Sequence, residues 1–199
     1  MTVSWESVLS DIEQCEGCDL CKTRTHVVPG EGNEHAALMF VGEGPGADED
    51  RTGRPFVGRA GQLLDRMIAA MGLTREDVYI ANVLKCRPPG NRDPRPDEVQ
   101  LCSPYLREQI RSIWPDIIMP MGNPATRFIL RTEAGITHLR GKVFKTGHFY
   151  VLPTFHPAAV LRDPFKMEAL EADFRLMGQI VRGEVRPEGL AAPGKEQAR

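Results

Sequence analysis

Residues 38–56 read LMFVGEGPGADEDRTGRPF, and the fold is decided by how this stretch is read. The apolar run Leu38–Val41 has the composition of a buried strand. It breaks into a turn with glycines at 42, 44 and 46 and a proline at 45. A glycine-rich turn after a strand usually signals a phosphate cradle. Here Glu43, Asp48, Glu49 and Asp50 crowd the same turn, and carboxylates at that density repel a phosphate. No lysine of a P-loop follows, so nucleotide binding at this turn is the weaker reading.

Working outward, three further β-rich runs follow: Val78–Val83, Ile117–Met121 and Phe149–Leu152. Between the first two strands, GQLLDRMIAAMG (61–72) places Leu63, Leu64, Met67, Ile68 and Met71 on one helical face. A second helix is predicted over Asp97–Ile113, with Pro104 expected to start, kink or interrupt it. A third begins at GNPATRFILR, where Asn123 can cap and Pro124 suits the first turn. The last carries Met167, Leu170, Phe174, Met177 and Val181 along one stripe, and an N-terminal helix carries Trp5, Val8, Leu9 and Ile12. Strand alternating with helix predicts an α/β fold, a parallel sheet covered on both faces. Ligands of such sheets bind beyond the carboxyl ends of the strands. Each strand runs into an unusual loop there: GEGPG, LKCRPPGNRDPRP, GNPA and TFHPA. The four loops are expected to share one crevice.

With 199 residues, 41% of them hydrophobic, one domain with a proper core is expected over residues 1–182. The tail 183–199 has little to bury and is expected to be flexible. A net charge of −2 gives no global nucleic-acid signature. There is no run of 18 apolar residues, and MTVSWESVLSDIEQ lacks the regions of a signal peptide. A cytoplasmic protein without membrane contact is expected, and a monomer fits.

Five cysteines in a reducing compartment argue for metal or thiol chemistry over disulfides. Cys15 and Cys18 form a C-x2-C pair, and Cys86 and Cys102 follow downstream. Four thiolates brought together repel unless a cation neutralises them, which implies a metal or a cluster. Tetrahedral zinc and an iron–sulfur cluster both remain open on spacing. Cys21 is a fifth thiol that can pack as a small hydrophobe.

Taken together, GEGPGADEDRTGRPFVGRAGQLL, VYIANVLKCRPPGNRDPRPDE, FHPAAVL and the N-terminal C-x2-C resemble the family 4, iron–sulfur uracil-DNA glycosylases. The similarity runs from about Cys15 to Leu161 in order and spacing. It implies a three-layer α/β/α sandwich around a four-stranded parallel sheet, and one [4Fe-4S] cluster on Cys15, Cys18, Cys86 and Cys102 with Cys21 outside the ligand set. It implies hydrolysis of the N-glycosidic bond of uracil in single- or double-stranded DNA, the step that opens base excision repair and leaves an abasic site.

The resemblance also distributes roles. Glu43 and Gly44 line the uracil pocket and place the water and the O2 edge, with Asn91 as a further candidate for holding the water. Phe56 stacks on the base. Asn82 offers a donor to O4 and an acceptor to N3–H, a pattern that cytosine reverses. Glu49 stands where the C5 edge points and so bears on thymine, whereas Asp48 and Asp50 are read as a solvated acidic loop. His156 donates to O2 as charge develops on the leaving base; His26, His35, His138 and His148 have no comparable context. Lys85, Arg87, Arg92 and Arg95 form a basic loop suited to phosphates, with Arg140, Lys142 and Arg162 extending that face. Val160 or Leu161 is expected to fill the gap left in a duplex. Two other classes compete: a protein that captures uracil covalently, disfavoured because the loop after Cys86 has no histidine, and a non-catalytic redox or structural nucleic-acid module.

Overall fold

The computed structural model describes residues 4–190. After helix α1 (Trp5–Glu13) and a 3-10 turn at Asp19–Lys22, the chain enters the sheet through β1 (Glu31–Gly32) and β2 (Leu38–Gly42). It continues through α2 (Ala47–Thr52), α3 (Arg59–Ala70), β3 (Tyr79–Asn82), α4 (Pro96–Ile113), β4 (Ile117–Pro120), α5 (Asn123–Leu130) and α6 (Ile136–Leu139). It closes with β5 (Phe144–Thr146), β6 (Phe149–Val151), α7 (Pro157–Arg162) and α8 (Met167–Val181).

The sheet order is β1-β3-β2-β4-β6-β5. The four inner strands, β3, β2, β4 and β6, are mutually parallel, as expected. The sheet nevertheless has six strands, because β1 and β5 add antiparallel edges. Neither edge strand carries an apolar run: β1 is two residues long, and β5 is the three-residue arm of a hairpin turning at Gly147. Such strands cap exposed sheet edges and need no buried face.

Side chains on β2 alternate between two cores. Phe40 joins Leu63, Leu64 and Ile68 of α3 and Leu170, Phe174 and Met177 of α8, with the Phe40 and Phe174 rings stacked at 5.7 Å. Met39 and Val41 face Leu106, Ile110 and Ile113 of α4 and Ala125 and Ile129 of α5. Those two apolar layers make the α/β/α sandwich. A third, smaller cluster gathers Leu20, Leu84, Cys86 and Cys102, and so ties the N-terminal segment to the loop after β3.

Two local expectations change. Pro104 neither starts nor ends α4, which runs through it to Ile113. Gly122, not Asn123, occupies the cap of α5, at φ +84°. A Cβ at Gly122 would lie 3.1 Å from the Cβ of His156, so the close approach of two loops selects glycine there. The Asn123 Oδ1 instead accepts the N–H of Ile136 at 2.7 Å. Of the tail, residues 187–189 form a 3-10 turn, and 191–199 lie outside the described residues. No helix among the described residues is long and apolar enough to cross a membrane.

Candidate active site

All four loops meet at the carboxyl ends of the parallel strands, around a crevice of about 730 Å³. Glu43 and Gly44 come from the end of β2, Asn82 from β3, Asn91 and Arg92 from the following loop, Gly122 from beyond β4, and His156 from beyond β6. Phe56 and Glu49 complete the wall, and Arg162 stands at the start of the outer rim.

Asn82 is 1% exposed, and its Oδ1 is a buried acceptor with no hydrogen-bond partner among the described residues. Buried polar atoms are nearly always paired, and leaving one orphaned costs about 1–3 kcal/mol. Room for this amide is made by Gly42, where a Cβ would fall 2.3 Å from Asn82 Oδ1 and 2.5 Å from the Phe56 ring. Phe56 itself sits at φ +52°, a region that non-glycine residues enter only under constraint. The constraint is visible: the Arg75 guanidinium donates to the carbonyls of Phe56 at 3.1 Å and Pro55 at 2.6 Å. The Phe56 ring lies 5.5 Å from that of His156, inclined by 29°.

His156 caps α7, and its Nδ1 accepts the N–H of Ala158 at 3.1 Å. That bond leaves the proton of the neutral imidazole on Nε2. Burial, reinforced by the charge of Arg162 and opposed by Glu49, pushes its pKa down to about 4. At neutral pH the ring is therefore an uncharged N–H donor. Its loop is anchored from behind. Asp173 of α8, buried, accepts the Thr154 hydroxyl at 2.7 Å and pairs with Arg140 through both carboxylate oxygens.

The Glu43 carboxylate lines the crevice, and burial together with the Asp93 carboxylate raises its pKa above the ordinary value, partly offset by Arg162. Glu49 is engaged differently. Its carboxylate accepts three backbone N–H groups, Gly46 at 3.1 Å, Val57 at 2.8 Å and Gly58 at 2.9 Å, and so clamps the glycine turn to the Phe56 loop. Asp50 is not solvated: it is buried and accepts the Thr25 N–H at 2.8 Å, joining α2 to the N-terminal segment. Asn91 stands exposed at the rim with its Oδ1 held by Arg87 at 2.7 Å.

The basic residues divide. Lys85 is 1% exposed and does not reach the surface, which removes it from the phosphate-contacting set. Its side chain folds back onto the Asn82 carbonyl and onto Gln109. Arg92 forms a two-point ion pair with buried Glu98, and Arg140 is occupied by Asp173, so neither is a free surface charge. Arg87, Arg95, Lys142 and Arg162 retain exposed or half-exposed surface. Val160 is fully buried and Leu161 half-buried, because the α7 face that packs on α3 takes Val160 inward. Arg127, Phe165 and Lys166 were not anticipated. Arg127 and Lys166 line the crevice, and Phe165, between Arg162 and Lys166 at the rim, is 97% exposed. Lys166 closes a 3-10 turn, Pro164–Lys166, just beyond the end of α7, and so short a turn carries no periodic signal in the sequence.

Cys15, Cys18, Cys21, Cys86 and Cys102 line one separate cleft with Arg24 and Lys85. Three N–H donors point at sulfur: Arg24 Nη1 to Cys86 Sγ at 3.2 Å, the Lys85 backbone to Cys102 Sγ at 3.2 Å and the Gly17 backbone to Cys15 Sγ at 3.5 Å. Burial raises the pKa of the Cys18 and Cys86 thiols and pushes Cys102 to about 11. Among the described residues, no three His, Cys, Asp or Glu side chains are gathered tightly enough to hold a single metal ion.

Comparison with known proteins gives a consistent answer. The family model for the uracil DNA glycosylase superfamily matches residues 29–177. The chain is 47% identical over 185 residues to the type-4 uracil-DNA glycosylase of Archaeoglobus fulgidus, covering 89% of this chain and 93% of the relative. It is 48% identical over 160 residues to the type-4 enzyme of Thermotoga maritima, covering 79% and 83%. A type-5 uracil-DNA glycosylase of Pyrobaculum aerophilum is more distant, at 35% over 150 residues and 66% and 65% coverage.

Proposed function

The chain belongs to the uracil DNA glycosylase superfamily, and on that premise we propose that it hydrolyses the N-glycosidic bond of uracil in DNA with Asn82 and His156 as the residues that read and release the base. The observation that carries this assignment is the orphaned Asn82 Oδ1, buried in the crevice wall. Uracil N3–H is a donor that satisfies it, and the Asn82 amide N–H then meets O4. Cytosine offers an acceptor at the first position and a donor at the second, leaving both pairs unmade, at about 1–3 kcal/mol each.

DNA containing uracil is the substrate class. A base in a duplex must leave the stack to reach so enclosed a site, at a cost of a few kcal/mol. Phe56, pre-set by its constrained backbone, receives the face of the extruded ring. As the glycosidic bond lengthens, negative charge gathers on the departing uracil. The neutral His156 Nε2–H is suited to donate to O2, where that charge accumulates, and a preorganised donor of this kind contributes on the order of 10²–10³ in rate. Glu43, beside the sugar side of the crevice, holds the water that adds to the anomeric carbon, with the Asn91 rim as the second candidate. Glu49 acts by clamping the two sides of the pocket together. Arg87, Arg95, Arg162 and Lys166 supply phosphate contacts, and Phe165 or Leu161 faces the gap in the stack.

Cys15, Cys18, Cys86 and Cys102 would hold a [4Fe-4S] cluster. The donor set fits: the thiols share one cleft, three N–H donors already point at sulfur, and thiols raised by burial need a cation to ionise. When bound, such a group supplies a structural staple between the N-terminal segment, the loop after β3 and α4.

The test is uracil release from U:G, U:A and T:G duplexes and from a single strand by protein purified without oxygen. Release from the uracil substrates alone is the expected result. A uracil-DNA adduct that survives denaturing electrophoresis would point to covalent capture instead.

A further inference from the structure

One buried charge remains outside the proposed chemistry. The Lys85 ammonium is enclosed, yet its two acceptors are both neutral: the Asn82 carbonyl at 2.9 Å and Gln109 Oε1 at 2.6 Å. No carboxylate lies within ion-pair distance of it among the described residues. Gln109 is arranged for this purpose. Its amide nitrogen donates to the Pro29 carbonyl at 2.9 Å and the Tyr79 hydroxyl at 3.2 Å, which turns Oε1 toward the lysine.

The bond to Asn82 has a topological origin. Val83 N–H donates to the Gly42 carbonyl across the β2–β3 pair, so the Asn82 carbonyl points the opposite way, toward β1. That strand pairs only as far as Ile80. The Asn82 carbonyl therefore lacks a sheet partner, and Lys85 Nζ stands in for one. The other end of the same residue touches the cysteine cleft: its backbone N–H donates to Cys102 Sγ at 3.2 Å. An isolated buried cation is unfavourable by several kcal/mol unless an anion lies near. The available anionic partners are the sulfurs of the cleft that Lys85 lines; Arg24 reaches Cys86 with its guanidinium, and Lys85 reaches Cys102 through its backbone N–H.

We propose that Lys85 is a positioning residue that bridges the two sites, holding the strand end that carries Asn82 in register and balancing the charge of the cysteine centre. The inference rests on the proposed role of Asn82 in reading uracil. It predicts that a change at the cysteine centre is felt as a change in base affinity.

The experiment compares wild type, Lys85→Met and Gln109→Met, purified without oxygen, for iron and sulfide content, midpoint potential of the centre and affinity for free uracil. The Asn82 carbonyl loses its charged hydrogen-bond donor in Lys85→Met, so that variant is expected to bind uracil about tenfold more weakly. Removing its positive charge also moves the midpoint to more negative values. A folded Lys85→Met with wild-type uracil affinity and wild-type midpoint overturns the bridge, as does a wild type that binds uracil but carries no iron. If Lys85→Met fails to fold, Gln109→Met decides: weaker uracil binding with the centre still loaded supports the bridge, and unchanged binding overturns it. A wild type that neither binds nor releases uracil sinks the glycosylase reading, while the midpoint shift still tests the contact with the centre.

Discussion

The base crevice and the cysteine cleft lie on either side of the segment 82–86, yet they are built on opposite electrostatic plans. Where the base is read, the crevice presents uncharged groups with hydrogen-bonding capacity left over, an orphaned amide oxygen on Asn82 and a neutral imidazole N–H on His156, while charged side chains such as Glu43 and Arg162 line other parts of its wall. The cleft gathers thiols and turns N–H donors toward them, the Arg24 guanidinium to Cys86 and the Lys85 backbone to Cys102. A neutral guest that becomes an anion only as its bond breaks suits the first plan. A set of buried thiols that ionises only beside a cation suits the second. Charge is thus withheld where selectivity for an uncharged base is needed and supplied where thiolates must persist.

The sharpest break between the two regions is His156→Ala. Uracil release should fall by about 10²–10³-fold in single-turnover kinetics, while iron content and visible absorbance stay at wild-type values. Loss of both together would mean that the regions are not separable. Cys86→Ser is the converse: iron retention should be lost and the midpoint of thermal unfolding lowered. Residual uracil release should follow the fraction of folded protein. Asn82→Leu, close in size and without the amide, should weaken uracil affinity by about 10–100-fold and narrow the preference over cytosine, measured by competition with free bases.

Acidity sharpens the comparison further. Because the Glu43 pKa is raised, its carboxylate protonates as pH falls through that raised value, and activity should decline there. His156 stays neutral until about pH 4 and does not set this limb. Glu43→Gln should lower the rate and remove the limb from the pH–rate profile. The smallest expected effect is at the rim. Phe165→Ala should slow excision from a duplex by about tenfold, a few kcal/mol of unstacking being at stake, and leave a single-stranded substrate unaffected.

Four strands and four loops were legible because each strand is an apolar run that ends in glycine, proline or an isolated polar residue. Asn82 and His156 stand at such ends, where local composition and topology agree. The edge strands escaped because two or three residues are too few to carry a periodic signal. The misread residues share one cause: partners distant in sequence. Lys85 looks like part of a basic loop until Gln109, 24 residues on, takes its side chain inward. Arg140 is claimed by Asp173 and Asp50 is buried against Thr25. Arg92 was nearer to legible, since Glu98 is six residues away, but a loop separates them. Val160 and Leu161 differ only in which side of a short helix faces α3, a distinction that tertiary packing makes.

Gly42 turns the comparison into a practical handle. A methyl group there would occupy the space between the Asn82 amide and the Phe56 ring, on the crevice side of the sheet, and leave all five sulfurs untouched. The protein could therefore be silenced by addition, with every reactive side chain present and the cysteine centre intact. Such a filled variant would make a cleaner blank for repair assays than any deletion of a working group.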